Sequence, residues 1–149
     1  MPLTPRRPKS PPSRPHAIEP CPAGVVPLDD AVYVGSPEHK AYVNPVNGEI
    51  PAPRPRDASL CERFPEGEWC VFTSMLREAI RAGCASDWDA SGRPKYVWGW
   101  YKGRLFQARR RSEPSGNLYK GWWIEEWERP RDREGRLERL RARLEQRRV

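Results

Sequence analysis

Seven basic side chains fall within residues 93–111: Arg93, Lys95, Lys102, Arg104, Arg109, Arg110 and Arg111. No acid lies among them, and Tyr96, Trp98, Trp100 and Tyr101 are interleaved with them. Lys120 follows a short way downstream. Cations meet phosphates and flat rings stack on unpaired bases, so this mixture suits a single-stranded nucleic acid. Arginine adds a planar fork that matches phosphate oxygens. The ordinary reading of the same residues is a half-buried sheet: rings fill one face while Lys and Arg solubilise the other and guard an edge. The two readings are compatible, because a sheet packed on one face leaves the other free.

Other chemistry-bearing residues are fewer. GSPEHK (35–40) brings Glu38, His39 and Lys40 together, and His39 is one of only two histidines. Histidine moves a proton near neutral pH, which makes His39 a candidate base, although a solvated loop histidine is the commoner outcome. Adjacent side chains on an extended segment diverge, so Glu38 is not its assured partner. Cys61, Cys70 and Cys84 with His39 offer atom types that bind zinc, but their spacing lacks the close pairs of structural zinc sites. Buried thiols are the simpler expectation, with no metal and no cofactor. There is no phosphate-cradling glycine loop, nucleophile elbow or HExxH.

Elements must position these groups. YVWGWYKGRLFQARR alternates like two strands, with Tyr96, Trp98 and Trp100 on one face and a turn at Lys102-Gly103. LYKGWWIEEW (118–127) follows as a third strand after EPSGN. The result is an antiparallel meander, stable when a helix covers one face. VFTSMLREAIRAGC (71–84) supplies that helix: Met75, Leu76, Ala79 and Ile80 form an apolar stripe, Thr73 or Ser74 caps the start, and Gly83 sits at the C-terminus. AVYV (31–34) and AYVN (41–44) read as short strands joined by GSPEHK, and SDWDASGRPK (86–95) as a loop.

The chain of 149 residues carries a net charge of +7, unevenly spread. Residues 1–24, rich in Pro and Arg, read as a disordered tail. Residues 129–149 read as a charged helix beginning near Asp132, with Leu137, Leu140 and Leu144 as a narrow stripe. Basic residues dominate both ends, whereas 25–128 is almost neutral and forms the expected single domain. Hairpin 93–111 is thus a positive island within a neutral body. The basic start lacks an apolar stretch after it, no segment is apolar enough to span a bilayer, and the four cysteines form no CxxC pair, so a cytoplasmic protein without membrane contact is expected.

A helix such as TSMLREAIRAG, followed by strands such as YVWGWYKGRLFQARR and NLYKGWWIEE, resembles the barnase/colicin/RelE-like fold of small toxin ribonucleases. The resemblance covers about residues 71–127. It implies a metal-independent endoribonuclease in which Arg104, Arg109 and Lys120 stabilise the crowded phosphate and His39 or Tyr119 transfers the proton. Arg93, Lys95, Lys102, Arg110 and Arg111 would hold the RNA, and an antitoxin would be the expected protein partner. The chain departs from that pattern by lacking a Glu–His pair on the strands. Two readings therefore stand: an α+β domain directed at RNA, with or without cleavage, or a non-catalytic module binding a protein or acidic surface through its Trp-rich sheet and Arg-rich ends.

Overall fold

The computed structural model describes residues 16–34, 69–111 and 116–147. They form an α+β unit of five strands and two helices. In chain order these are β1 (Val32–Tyr33), α1 (Trp69–Arg81), β2 (Ala85–Trp88), β3 (Pro94–Tyr101), β4 (Arg104–Arg110), β5 (Leu118–Trp123) and α2 (Arg136–Gln146), with a 3-10 turn at Glu126–Glu128. The sheet order is β1-β5-β4-β3-β2. Strands β2 to β5 make an antiparallel meander, and β1 adds to β5 in parallel.

The β3–β4 hairpin turns at Lys102-Gly103, where both residues have positive φ (51° and 79°), the backbone that suits the twist of a two-residue hairpin. The meander has one strand more than expected. Ser86–Trp88, read above as the start of a loop, belong to β2, which pairs with β3 at Ala85↔Val97 and Ser86↔Tyr96. Its short, polar sequence carries little strand signal; pairing to a long neighbour decides it. Residues 31–34 do form a strand, but it joins β5 instead of only a hairpin mate, and 41–44 lie outside the described residues.

Helix α1 covers one sheet face. Phe72, Leu76, Ala79 and Ile80 are buried there among Val97, Phe106, Tyr101 and Tyr119. Phe72 is the hub, with ring centroids 4.4 Å from Tyr33 and 4.8 Å from Phe106. Gly99 allows the close approach: a Cβ there would sit 2.7 Å from Phe106 Cζ and 3.1 Å from Ala79 Cβ. The helix begins earlier than its expected cap. Thr73 lies inside it, and the Thr73 hydroxyl accepts the Tyr33 N–H at 3.1 Å while Arg77 Nε donates to the Ala31 carbonyl at 2.8 Å. These side chains occupy backbone groups on the outer side of β1. At the other end Gly83 (φ 77°) closes the helix, with Gly83 N–H donating to Ile80 O and Cys84 N–H to Ala79 O.

Helix α2 docks on the body. Leu137 and Leu140 are buried, the Trp100 indole donates to the Leu137 carbonyl at 2.9 Å, and Arg147 pairs with Glu78 on α1. Asp132 accepts N–H groups of Arg136 and Leu137, capping the first turn. Beyond Val97, β3 has no β2 residue paired with it, and α2 packs against β3. Residues 16–24 differ from the expected tail: Ile18 N–H donates to Arg131 O, Arg131 N–H to His16 O and Glu19 N–H to Ala85 O. Residues 1–15 lie outside the described residues.

Candidate nucleic-acid interface

The face of the sheet opposite α1 carries Tyr96, Trp98 and Trp100 from β3. Strand register aligns them with their neighbours. One row across the strands reads Tyr96, Arg109, Lys120, and the next reads Trp98, Gln107, Trp122. Period-two alternation puts all six side chains on one side. The β3 part of this face is covered: Trp98 is fully buried, and Trp100 is held by α2, with the Arg141 guanidinium 4.7 Å from its ring centre. Toward β4 and β5 the cover thins. Arg109 is exposed, and Gln107, Lys120 and Trp122 are half-buried.

His16 lies against the same surface. Its ring centroid is 4.4 Å from Tyr96 and 5.9 Å from Trp98. The Arg109 guanidinium is 5.9 Å and the Lys95 ammonium 5.5 Å from the Tyr96 ring centre. One half-buried tyrosine is therefore flanked by two cations and an imidazole. Among the described residues neither Lys95, Arg109 nor Lys120 is paired with an acid, so their charge is available to a ligand.

The other expected site residues fall elsewhere. Arg93 pairs with Asp30 at 2.5 Å, and its hydrogen bond lowers the Asp30 carboxyl. Arg110 pairs with Asp89. Burial opposes charge on Asp89, but the Ser91 hydroxyl, the Arg93 and Ser91 N–H groups and Arg110 outweigh it and hold the carboxyl at about 2. Both arginines, expected to hold a ligand, are thus engaged by acids within the fold. Arg104 lies on the helix side, 4.5 Å from the Trp123 ring centre, away from Arg109. Lys102 stands in the hairpin turn over Tyr101, and the Arg111 N–H continues the pairing with β5 through the Leu118 carbonyl.

Tyr119, the other proton-transfer candidate, lies in the core. It is buried under α1, its hydroxyl donates to the Pro94 carbonyl, and burial pushes its phenol well above the ordinary tyrosine range. Cys84 is buried, and that burial pushes its thiol up to about 12, which makes it a core residue and a poor nucleophile. His39 and Cys61 lie outside the described residues. Among those described, no group of three His, Cys, Asp or Glu is placed to hold a metal, and no helix is long and apolar enough to cross a membrane.

Two members of this surface escaped the sequence reading. Gln107 was assigned to a strand but given no role, because a lone glutamine carries no signal without its neighbours. His16 lay within a stretch dominated by proline. Its only local hint is the apolar pair Ala17-Ile18 that follows, which anchors the segment beside Arg131.

Comparison with known proteins finds no matching family model, no matching curated protein and no matching solved structure.

Proposed function

We propose that this protein binds single-stranded RNA on the open sheet face. The observation that carries the reading is the row Tyr96–Arg109–Lys120, in which Arg109 lies beside a ring already flanked by His16, Lys120 follows on the next strand, and neither cation has an acidic partner among the described residues. Arg109 and Lys120 would contact phosphates while Tyr96 and Trp122 stack on bases. A cytoplasmic setting agrees with such a ligand.

Metal-independent cleavage is the catalytic form of this reading and fits the resemblance to small toxin ribonucleases. In that form the His16 imidazole takes the 2′-hydroxyl proton as the 2′-oxygen attacks phosphorus. Arg109 and Lys120 stabilise the charge gathering on the phosphate oxygens, and the departing 5′-oxygen takes a proton from solvent. His16 takes this role here because its imidazole lies against Tyr96 on the open face, whereas Tyr119 is buried on the other face.

Binding is tested by titrating the full chain with single-stranded RNA over a range of salt. Arg109→Ala and Lys120→Ala should each flatten the slope of log affinity against log salt by about 0.7, the share of one phosphate contact. Arg93→Ala should leave it unchanged. Equal slopes for the wild type, Arg109→Ala and Lys120→Ala, with folding confirmed, would refute the assignment. Cleavage is tested in EDTA: His16→Ala should abolish it while retaining binding, and intact RNA with excess wild-type protein removes the catalytic form.

A protein-binding reading has one specific support. Trp127 is 62% exposed beside Glu126 and Glu128. Large exposed rings of this kind anchor protein interfaces. Loss of protein capture in Trp127→Ala, with RNA binding intact, would assign that surface separately.

A further inference from the structure

Gln107 stands at the centre of the open face, between Trp98 and Trp122 in the register of the three strands. Trp98 Nε1 lies 3.2 Å from Gln107 Oε1. An indole N–H only donates, so the amide group facing it must be the oxygen. Trp98 is fully buried and its ring cannot swing away without disturbing the core. The Gln107 amide is therefore held in one orientation, with its oxygen engaged and its NH2 group left over. The only Gln107 side-chain bond among the described residues is this one, and the residue is half-buried, so the NH2 group is available to a ligand.

The surroundings repeat the same polarity. Arg109 lies two residues along β4 from Gln107, and Lys120 two residues along β5 from Trp122. Both of these side chains donate hydrogen bonds and accept none. At this central position the surface thus offers donors beside the aromatic ring of Trp122.

That polarity discriminates between bases. Guanine and uracil present a carbonyl oxygen where adenine and cytosine present an amino group. A glutamine with both ends free can read adenine by donating to N7 and accepting from N6. In Gln107 one lone pair of the oxygen already serves Trp98, so the NH2 group is the end left wholly free. Its NH2 group meets a base carbonyl favourably, and meets a base amino group donor against donor.

We propose that Gln107 is a specificity residue that selects keto bases, guanine and uracil, in RNA bound to this face. This rests on the RNA-binding reading above. Trp98 acts as its positioning residue, through the hydrogen bond that fixes the amide.

The experiment compares two 2′-O-methyl oligonucleotides of about twelve nucleotides, a length within the usual site size of such surfaces. One alternates U and G, the other C and A, and the methyl groups prevent cleavage. Fluorescence anisotropy with the full chain in low salt gives their affinity ratio. The wild type should prefer the U–G strand by about tenfold, the worth of roughly one well-made base contact. Gln107→Glu keeps an oxygen for Trp98 and turns a second oxygen outward. Its added charge weakens both strands alike, but the ratio should move toward C–A. Gln107→Met should bring the ratio close to one, and near-ultraviolet circular dichroism checks that the tryptophan packing survives. Equal wild-type affinities, a C–A preference, or a U–G preference that persists unchanged in Gln107→Glu would each overturn the inference. If neither strand binds, the RNA reading itself fails and the specificity assignment falls with it.

Discussion

The two faces of this sheet are built from similar residues and end in opposite states. Beneath α1, Tyr33, Phe72, Phe106 and Tyr119 are fully packed, and the hydroxyl of Tyr119 has its partner in Pro94. On the other face Tyr96 and Trp122 remain half-buried, and Arg109 and Lys120 have no acidic partner among the described residues. Arginines divide in the same way. Arg110 and Arg109 are neighbours in sequence, but alternation sends Arg110 to Asp89 and Arg109 to the open surface. An aromatic or a cation in this hairpin thus has no fixed meaning by type. What it does depends on which face it occupies and on what the rest of the chain lays against that face.

That contrast is open to direct attack. The largest effect is expected from Phe72→Ala, which empties the hub of the packed face and should cost about 3–5 kcal/mol in urea unfolding. A loss below about 1 kcal/mol would mean that α1 does not carry the core. Trp122→Ala tests the open face. It should weaken single-stranded RNA binding by about 1–3 kcal/mol, the worth of one stacked base, while the unfolding midpoint moves far less than for Phe72→Ala. A reversal, with stability lost and affinity kept, would make Trp122 a core residue.

Tyr119→Phe separates a buried hydroxyl from a catalytic one. Removing its hydrogen bond to Pro94 should cost about 1 kcal/mol of stability and leave RNA binding and cleavage untouched. Loss of cleavage with an unchanged fold would return Tyr119 to the site. The smallest effect concerns Asp89. Its carboxyl, held at about 2 when folded, stands below an unfolded value near 4. The stabilisation this gives is complete above pH 4 and is lost as pH falls toward 2. Asp89→Asn should therefore be less stable than wild type at neutral pH, and the gap should narrow across that acid window. A constant gap down to pH 2 would mean that the Asp89 charge contributes nothing.

Much of the central architecture was legible in the chain. Alternation in YVWGWY and RLFQARR set two strands, Lys102-Gly103 set their turn, and the stripe of Leu76, Ala79 and Ile80 set the covering helix. The site was only partly legible. Arg109 and Lys120 were among its expected members, but so were Arg93, Arg110 and Tyr119, which the fold uses for itself. Their fates hang on Asp30, on Asp89 and on the Pro94 carbonyl, groups that no local pattern links to them. His16 and β2 were missed for a related reason: each takes its place through pairing with a distant segment, and neither has a strong propensity of its own.

The sequence by itself determined which segments alternate, where the helix stripe lies and that residues 93–111 hold an excess of positive charge. Those properties are local, because side-chain periodicity and composition are written in neighbouring residues. Only the tertiary structure decided which cations keep their charge available, which rings stay open and which end of the Gln107 amide faces outward. Each of these depends on a partner supplied by another strand or a remote loop: Asp89 for Arg110, α2 for Trp100 and the buried indole of Trp98 for Gln107. A hydrogen bond or an ion pair needs two groups at contact distance, and folding alone brings them there.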